Sequence, residues 1–382
     1  MSNAPKKLVI SANTAWNLLS RTRLLSALKN DGWEVTACAA PDEHAMRITE
    51  STGIPFIALP MKSDSTNVFQ DFLLFMRYLG LYSRIKPQAV LHINNKPNIW
   101  GTLAANLLGI PSISNITGLG VVAEKKGVIK KLVYALYKVA FRSGKAWVFF
   151  QNSDDSLFFR ENGLVADMSR TRLLPGSGVD LAKYAINDAY CYKDSGVPPV
   201  FLFSGRLLIT KGIRVYIQAA QRVVHLYPGT RFIIIGELEK DNPVFIPDSE
   251  LSRAVTSGLV EYCGKVQDVR SYLEEADCVV LPSWYREGVP RALLEAAACG
   301  KPLIAADSPG TREPVEHGVN GYRVIPEDVS SLVEAMLHFI TLTDKQKKAM
   351  GCESRCLAEK RFSDSLVLKA YLETLATFGG ST

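Results

Sequence analysis

The chain is predicted to fold as an α/β protein with two doubly wound, Rossmann-like domains facing a cleft. Short apolar runs alternate with amphipathic segments, which indicates parallel strands connected by helices. The alternation stops once, at residues 173–200, in a stretch rich in Gly, Pro, Asp and Ser, and then begins again. The chain has 382 residues, which is enough for two or three domains with separate cores.

The first series of strands predicts a domain at residues 1–175. Residues 17–32 have helical periodicity and end on Gly32, a residue suited to the C-terminus of a helix. The predicted buried strands are KLVISA at 7–12, WEVTACAA at 33–40, AVLHI at 89–93, PSISNI at 111–116 and AWVFF at 146–150.

The second series predicts a domain at residues 176–361, followed by a helix at 362–378. Ligands of doubly wound domains bind where the carboxyl ends of the strands gather. The predicted strands are VFLFSGRL at 200–207, TRFIIIG at 230–236, LVEYCG at 259–264, CVVLPS at 278–283, PLIAAD at 302–307 and GYRVI at 321–325.

Composition indicates a soluble cytoplasmic protein. No apolar run approaches the roughly 20 residues that a membrane-spanning helix needs, and the N-terminus lacks the long apolar stretch of a signal peptide. The seven cysteines are odd in number and unpatterned, which favours a reducing compartment over a disulfide framework. No Cys and His cluster predicts a metal site.

Charge is distributed unevenly along the chain. Residues 1–175 contain 21 Lys and Arg against 12 Asp and Glu, whereas residues 176–382 contain 23 against 26. The balances are +9 and −3, so the first half is expected to face something acidic. Nucleic acid, anionic lipid and a phosphorylated acceptor each fit this asymmetry, but no nucleic-acid-binding module is recognisable.

Two carboxylates, Glu287 and Glu295, stand eight positions apart in YREGVPRALLEAAACGKP. A helix is predicted from about Pro290 to Cys299, and its first turn together with Gly288 to Arg291 offers free N–H groups to an anion. Glu287 and Glu295 would then accept hydrogen bonds from sugar hydroxyls, with a ribose as the partner of Glu295. Alternatively, Glu287 complements the helix dipole and Glu295 is a solvated charge.

Two further loops at strand ends favour the first interpretation. In SGRLLITKG, Gly205 turns the chain and brings Arg206 and Lys211 to the same edge of the sheet, where both suit phosphate oxygens. In DSPGTREPVEHGVNGY, Gly310 and Thr311 offer backbone N–H groups. We therefore expect three loops at the carboxyl end of one sheet to offer groups that bind anions.

These segments resemble the donor-binding half of retaining glycosyltransferase family 4, which has the GT-B fold. Its Glu-seven-residues-Glu motif falls on Glu287 and Glu295. NKPNIWGTLAANLLGIPSISNITGLG and FFQNSDDSLFFRENGL resemble the subgroup that builds capsule, O-antigen of lipopolysaccharide and glycan precursors on undecaprenyl diphosphate. The resemblance implies that residues 362–382 pack back on the first domain.

The resemblance implies a role for each matching residue. Arg206 and Lys211 would bind the diphosphate of a nucleotide-sugar, of the UDP type in this subgroup, and stabilise the leaving group. Glu287 would hold the donor sugar and act with these two cations in catalysis, without a protein nucleophile. The residues implied in donor binding are Gly205, Gly288, Val289, Pro290, Arg291 and Glu295.

The sequence departs from the family pattern in the first half. SANTAWNLLSRTR has no glycine-rich loop, and SNITGLG has Thr117 and Gly118 where many relatives have a histidine. Arg21, Lys96 and Thr117 are the candidate acceptor-binding residues. No Asp-x-Asp triplet occurs, so the hexosyl or N-acetylhexosaminyl transfer is expected to be independent of metal and to need no cofactor.

A basic segment at residues 124–145 predicts attachment to the inner face of the cytoplasmic membrane. Lys131, Lys138, Arg142 and Lys145 share one helical face, and an aromatic, apolar segment at 69–87 accompanies them. A core helix with a solvated basic face explains the same pattern, and both interpretations stay open.

Two other functions are considered besides a glycosyltransferase. One is a nucleotide-sugar epimerase, which shares the two-domain fold. The other is a non-catalytic, nucleotide-sugar-binding partner in an assembly complex. The four residues Arg206, Lys211, Glu287 and Glu295 are all present, which favours a working enzyme.

Overall fold

The computed structural model describes residues 6–62, 67–119, 127–186, 197–240, 242 and 244–378. The chain forms two compact units. The first unit comprises residues 1–177 and 365–382, and the second unit comprises residues 178–364. Each contains one parallel β-sheet with its own hydrophobic core, so the predicted fold class of two doubly wound α/β domains is confirmed.

The sheet of the first unit has seven strands in the order β3-β2-β1-β4-β5-β6-β7. All neighbours in this sheet are parallel. The sequence patterns missed β3 and β7, which have three residues each and are too short to show a period. The strands are β1 Lys6–Thr14, β2 Trp33–Ala40, β3 Phe56–Ala58, β4 Ala89–Ile93, β5 Ser112–Ile116, β6 Ala146–Phe150 and β7 Thr171–Leu173.

The prediction of one helix at residues 17–32 is wrong, because the helix is interrupted at Ser20 and Arg21. The Ser20 hydroxyl and the Arg21 guanidinium both donate to the Asn17 carbonyl, at 3.0 and 2.7 Å. The Arg21 N–H bonds to Leu18 O instead of continuing the helical ladder. Two helices result, α1 Ala15–Leu19 and α2 Thr22–Asn30.

The other helices of the first unit cover both faces of its sheet. The last one is the C-terminal helix, whose Val367, Tyr371 and Leu375 are buried in the core of this unit. A π-helix at Pro97–Gly101 precedes α5. The helices are α3 Ala45–Thr52, α4 Val68–Ile85, α5 Thr102–Leu107, α6 Gly127–Ala140, α7 Ser153–Glu161 and, at the end of the chain, α14 Asp364–Thr377.

The sheet of the second unit has six strands in the order β10-β9-β8-β11-β12-β13. Its strands are β8 Val200–Ser204, β9 Arg231–Ile235, β10 Glu261–Tyr262, β11 Cys278–Leu281, β12 Leu303–Ala306 and β13 Gly321–Val324. Its helices are α8 Ile213–Leu226, α9 Asp248–Thr256, α10 Arg270–Glu275, α11 Arg291–Ala298, α12 Val329–Thr341 and α13 Asp344–Leu357.

Strand order reverses once in each sheet. The chain moves outward from β1 to β3 and returns to place β4 beside β1; it repeats this path from β8 to β10 and then to β11. At such a reversal the loops on the two sides diverge and leave a crevice at the carboxyl ends of the strands. The loops after β8 and β11, and those after β1 and β4, are therefore where ligands are expected.

Candidate active site

The loop after β8 carries the two predicted cations. Gly205 follows the strand, and the Arg206 side chain is exposed. Arg206 has no hydrogen-bond or ion-pair partner among the described residues. A short 3-10 helix, Ile209–Lys211, then places Lys211 at the end of the loop.

Lys211 and Glu287 meet across the point of strand reversal. Lys211 Nζ forms an ion pair with Glu287 Oε2. The other oxygen, Oε1, accepts a hydrogen bond of 2.8 Å from the Ser283 hydroxyl at the end of β11. Only 14% of the Lys211 side chain and 13% of the Glu287 side chain are exposed, so this ion pair is largely shielded from solvent.

Two glycines allow the loops of the site to approach one another. Gly212 has φ +82°, and a Cβ on it would lie 2.2 Å from the carbonyl oxygen of Pro282. Gly310 has φ +79°, and a Cβ there would lie 1.6 Å from the carbonyl oxygen of Gly288. Because no side chain fits at either position, the loops after β8, β11 and β12 pack as one rigid cluster.

Helix α11 begins at Arg291, one residue later than expected. Pro290 is the N-cap residue, with an extended ψ of 124°, and no side chain caps this end of the helix. Arg291 and Glu295 lie one turn apart, and Arg291 Nη2 donates to Glu295 Oε1 at 3.0 Å. The buried residues Gly288, Val289 and Pro290 lead directly into the helix.

The loop after β12 adds another polar group. Thr311 is fully buried, and its hydroxyl oxygen has no hydrogen-bond partner among the described residues. Thr311 follows Gly310, whose backbone packs against Glu287 and Gly288. This loop therefore closes one side of the cluster.

The geometry of the second unit suits a diphosphate linked to sugars. Arg206 and Lys211 supply positive charge, and the N-terminus of α11 adds the positive end of a helix dipole. Glu287 and Glu295 supply carboxylate oxygens that accept hydroxyl protons. Glu287 is bonded to Lys211 and Ser283, so an anion must compete with Glu287 for the Lys211 ammonium.

The first unit offers neutral polar groups at its own strand reversal. Asn94, after β4, has φ +74° and donates from Nδ2 to the Thr117 hydroxyl at 2.9 Å. Asn13, at the end of β1, donates its backbone N–H to Asn94 Oδ1 at 3.4 Å. The side-chain oxygen of Asn13 is buried without a partner among the described residues.

The other two predicted acceptor-binding residues are already bonded within the first unit. Lys96 is 9% exposed, and its Nζ lies 2.5 Å from Asp71 Oδ1 on α4. Arg21 lies at the break between α1 and α2, bonded to Asn17 O and to the Ser20 hydroxyl. Thr117 is therefore the predicted residue that lies closest to the neutral groups around Asn94.

Sequence patterns missed several polar residues of these sites. Ser283 stands four residues before Glu287, and a serine at the end of a buried strand was a usable signal. Asn13 and Asn94 also follow predicted strands, but their meeting depends on β1 and β4 being neighbours.

The two doubly wound units have the GT-B fold, and the charged cluster lies at the strand reversal between β8 and β11 of the second unit. Residues 198–341 match the family model of glycosyl transferases group 1. The chain therefore carries a group 1 glycosyltransferase domain, and this domain contains Arg206, Lys211, Glu287 and Glu295. The resemblance noted from the sequence is confirmed at this level.

Two curated relatives are similar over most of their length. The N,N'-diacetylbacillosaminyl-diphospho-undecaprenol alpha-1,3-N-acetylgalactosaminyltransferase of Campylobacter jejuni is 23% identical, over 92% of this chain and 93% of that protein. The UDP-Gal:alpha-D-GlcNAc-diphosphoundecaprenol alpha-1,3-galactosyltransferase of Escherichia coli is 28% identical, over 68% of each protein.

Solved structures share the fold. HepE from Anabaena, crystallised in complex with UDP and glucose, has a TM-score of 0.79 with this chain. The two are 19% identical, and the match covers 97% of this chain and 100% of that chain. At this identity the likeness establishes the GT-B fold of both units.

Proposed function

We propose that this protein is a retaining glycosyltransferase that moves a hexosyl or N-acetylhexosaminyl group from a UDP-sugar to a saccharide on undecaprenyl diphosphate. The observation that carries the proposal is the cluster of Arg206, Lys211, Glu287 and Ser283 at the strand reversal of the group 1 domain. Its product would serve bacterial surface polysaccharide or glycan synthesis, such as capsule or lipopolysaccharide.

In the proposed reaction, the bond from the anomeric carbon to the diphosphate oxygen breaks and negative charge grows on the leaving phosphate. Arg206 and Lys211 stabilise that charge, which is the type of interaction that strengthens in a transition state. The acceptor hydroxyl attacks on the same face, and its proton passes to the leaving phosphate. Glu287 orients the donor sugar and the Lys211 ammonium.

The activities for which the two relatives are named support the proposed donor and stereochemistry. The E. coli relative is named as using UDP-Gal, and both relatives are named as forming alpha linkages. From an α-linked UDP-sugar, an α product means retention of configuration. Retention through front-face attack needs no protein nucleophile, and Glu287 is already bonded to Lys211 and Ser283.

We propose that the reaction needs no metal ion. The charge of the diphosphate is balanced by two cationic side chains and the N-terminus of α11 rather than by a carboxylate-bound cation. Addition of a chelator such as EDTA should therefore leave the rate of transfer unchanged. A rate that falls on chelation and recovers with Mg²⁺ or Mn²⁺ would overturn this part of the proposal.

The lipid-linked acceptor is proposed to reach the first unit at the inner face of the cytoplasmic membrane. Lys131, Lys138, Arg142 and Lys145 are all exposed on or just after α6. Residues 124–126 of the predicted basic segment lie outside the described residues. Each cation near an anionic surface contributes about 1 kcal/mol, so several together hold a protein there reversibly.

Apolar side chains accompany these cations. Val128, Ile129 and Leu132 of α6 are 81%, 43% and 45% exposed, and Phe69 and Phe72 of α4 are 76% and 57% exposed. Both helices contact the helical segment 97–107, so they lie on the same side of the sheet. Basic and apolar groups on neighbouring helices favour peripheral attachment over a purely solvated face. No helix in the described part of the chain is long and apolar enough to span a bilayer.

Vesicle flotation tests the membrane part of the proposal. Substituting Gln for Lys131, Lys138, Arg142 and Lys145 should release the protein from anionic vesicles, and salt should weaken the wild type in the same way. A matched variant removes the same number of exposed positive charges from the second unit and should still float: Lys240, Lys265, Lys345 and Lys348 to Gln. If the wild-type protein floats equally well with neutral and with anionic vesicles, the proposed electrostatic attachment is wrong.

Transfer itself is tested with purified protein, a panel of UDP-sugars and synthetic undecaprenyl diphosphate-linked GlcNAc or bacillosamine acceptors. Mass spectrometry of the product should show one added hexose or N-acetylhexosamine, and NMR should show an alpha linkage. Binding of UDP-sugar without transfer or hydrolysis would favour the non-catalytic partner. Conversion of one free UDP-sugar into another would favour the epimerase.

A further inference from the structure

An exposed tryptophan stands at the carboxyl end of the first strand. Trp16 lies in the first turn of α1, directly after β1, and 50% of it is exposed. The other four tryptophans of the chain lie among the described residues and are buried or half-buried: Trp33, Trp100, Trp147 and Trp284. An indole has a large apolar surface, so an exposed one at the carboxyl end of a strand is a candidate for contact with a ligand.

The Asp42 carboxylate fixes the backbone on both sides of a ring pair. Its Oδ2 accepts from the Trp16 backbone N–H at 3.0 Å, and its Oδ1 accepts from the His44 backbone N–H at 2.8 Å. One side chain therefore ties the loop after β1 to the loop after β2. The rings of Trp16 and His44 pack against each other, with centroids 4.9 Å apart and planes at 49°.

The ring of His44 supports the indole. His44 precedes α3, but its side chain does not cap that helix. Its Nε2 lies 3.2 Å from Glu43 Oε1, and its side chain is largely buried, whereas half of Trp16 is open to solvent. The indole is thus held in place by His44 and by Asp42 before a ligand binds, which lowers the entropy cost of binding.

Trp16 also lies near the neutral polar groups of the first unit. Asn13, whose backbone N–H bonds to Asn94, stands three positions before it, and three residues span at most about 11 Å. The Thr117 hydroxyl accepts from the same Asn94 side chain. A saccharide bound at Asn94 and Thr117 is therefore within reach of the indole.

The surroundings of Trp16 disfavour a membrane as its partner. Helix α1 packs in one core with Leu8 and Ile10 of β1, whereas α4, with its exposed apolar side chains, packs in another core with Val9. Successive side chains of a strand point to opposite faces, so α1 and α4 lie on opposite sides of the sheet. The carboxylates of Asp42 and Glu43 beside the ring pair also repel an anionic surface.

We infer that Trp16 is the stacking platform for a pyranose ring of the lipid-linked saccharide acceptor, in a subsite supported by His44. The inference rests on the proposed function, since it takes the acceptor to be a saccharide. One face of a pyranose presents C–H groups with partial positive charge, and these suit the negative face of an indole. An aliphatic side chain offers apolar surface without that electrostatic attraction.

A water-soluble acceptor tests the inference apart from any membrane: GlcNAc linked through a diphosphate to a short alkyl chain. Trp16→Leu should raise the KM for this acceptor about five- to tenfold, as loss of one aromatic contact predicts. Trp16→Phe keeps an aromatic face and should stay within about twofold of wild type. In both variants kcat and the KM for the UDP-sugar should keep their wild-type values. Because Trp16 is already half exposed, their melting temperatures should change little.

Tyr227→Leu is the matched control. Tyr227 is an exposed aromatic residue between α8 and β9, at the amino end of the second sheet. Its replacement should leave the acceptor KM at the wild-type value. Vesicle flotation is the second measurement, and Trp16→Leu should float with anionic vesicles as wild type does.

The outcomes separate the inference from the proposed function. If wild type transfers sugar and Trp16→Leu has the wild-type acceptor KM, the stacking subsite is wrong and the proposed function stands. A Trp16→Leu variant that keeps this KM but no longer floats would make the indole a membrane contact instead. Equal rises in the donor KM and the acceptor KM would indicate general damage and also overturn the subsite. A wild type that transfers to neither soluble nor undecaprenyl-linked saccharides would overturn the proposed acceptor and the inference with it.

Discussion

The two units have the same topology around their strand reversals but opposite chemistry there. The reversal between β8 and β11 carries Arg206, Lys211 and Glu287, which are charged. The reversal between β1 and β4 carries Asn94 and Asn13, hydrogen-bonded amides beside the Thr117 hydroxyl.

This difference teaches that topology sets where a ligand binds and side-chain charge sets which ligand it is. A diphosphate requires cations and helix N-termini, whereas neutral amides and hydroxyls suit the hydroxyls of a sugar. In the first unit, the cation closest in sequence to Asn94 is Lys96, and its charge is already balanced by Asp71. We call the reversal between β8 and β11 the charged edge and the reversal between β1 and β4 the neutral edge. The comparison predicts that the charged edge binds the donor diphosphate and that the neutral edge binds the sugar of the acceptor.

The largest expected effect comes from removing a cation of the charged edge. Arg206→Ala or Lys211→Ala should lower turnover by about 10² to 10³-fold, as loss of one transition-state donor commonly does. The melting temperature should change little for Arg206→Ala, because its side chain is exposed. Steady-state kinetics measures the effect, with Arg214→Ala, a residue paired with Glu250 on the same unit, as control. Near-normal turnover in both variants would remove the diphosphate site from this edge.

A buried histidine should make the first unit more sensitive to acid than the second. His92 bonds to the Tyr82 and Thr102 hydroxyls at 2.8 and 2.9 Å, and burial lowers its pKa to about 3. The unfolded chain binds this proton near pH 6.5, so stability is present above that pH and is lost as the pH falls toward 3. The loss from His92 is about 1.4 kcal/mol for each pH unit in this window.

Hydrogen exchange with mass spectrometry at pH 7 and pH 5 can follow each unit separately. Peptides from the first unit should lose protection at pH 5 more than peptides from the second, whose described histidines are exposed: His225, His317 and His338. His92→Gln should reduce the difference between the two pH values. An equal loss in both units, unchanged by His92→Gln, would contradict the prediction.

The two glutamates of the charged edge should differ in their kinetic roles. Glu295→Gln weakens an acceptor of ribose hydroxyls and should raise the KM for the donor about tenfold with little change in kcat. Glu287→Gln should lower kcat as well, because it weakens the ion pair that orients Lys211. Variants that lose only thermal stability and keep both kinetic constants would show that the glutamates are structural.

The smallest effect is expected at the neutral edge. Thr117→Val removes the hydroxyl that accepts from Asn94 and should raise the KM for the lipid-linked acceptor severalfold, in line with the loss of one neutral hydrogen bond. The KM for the nucleotide-sugar should stay at its wild-type value. Ser114→Ala, at a buried hydroxyl that bonds to Thr102, is the control for general destabilisation. A change confined to the donor KM would reverse the assignment of the two edges.

Most of the fold could be predicted because a buried parallel strand appears in the sequence as a short, continuous run of apolar residues. The patterns at 33–40, 89–93 and 146–150 agree with β2, β4 and β6 residue for residue. The patterns at 200–207 and 259–264 are longer than β8 and β10, because apolar residues continue into the loops beyond the last ladder bond. Local side-chain bonding at Ser20 and Arg21, which breaks a helix, was not visible in its periodicity.

Less of the candidate site could be predicted. Arg206, Lys211 and Glu287 stand out because each adjoins a glycine in a loop after a predicted strand, which is a local signal. Glu295 stands out by its spacing of eight positions from Glu287. The ion pair between Lys211 and Glu287 is not local, since 76 positions separate the two residues.

The sequence by itself determined the α/β class, the two series of strands and the charged residues at their ends, because hydrophobic period and turn chemistry act over a few neighbouring residues. Only the tertiary structure decided that β8 lies beside β11 and that Lys211 meets Glu287. The physical reason is that such contacts depend on the order of strands in the sheet and on close backbone packing at Gly212 and Gly310. A pattern within one segment carries no information about which distant segment becomes its neighbour.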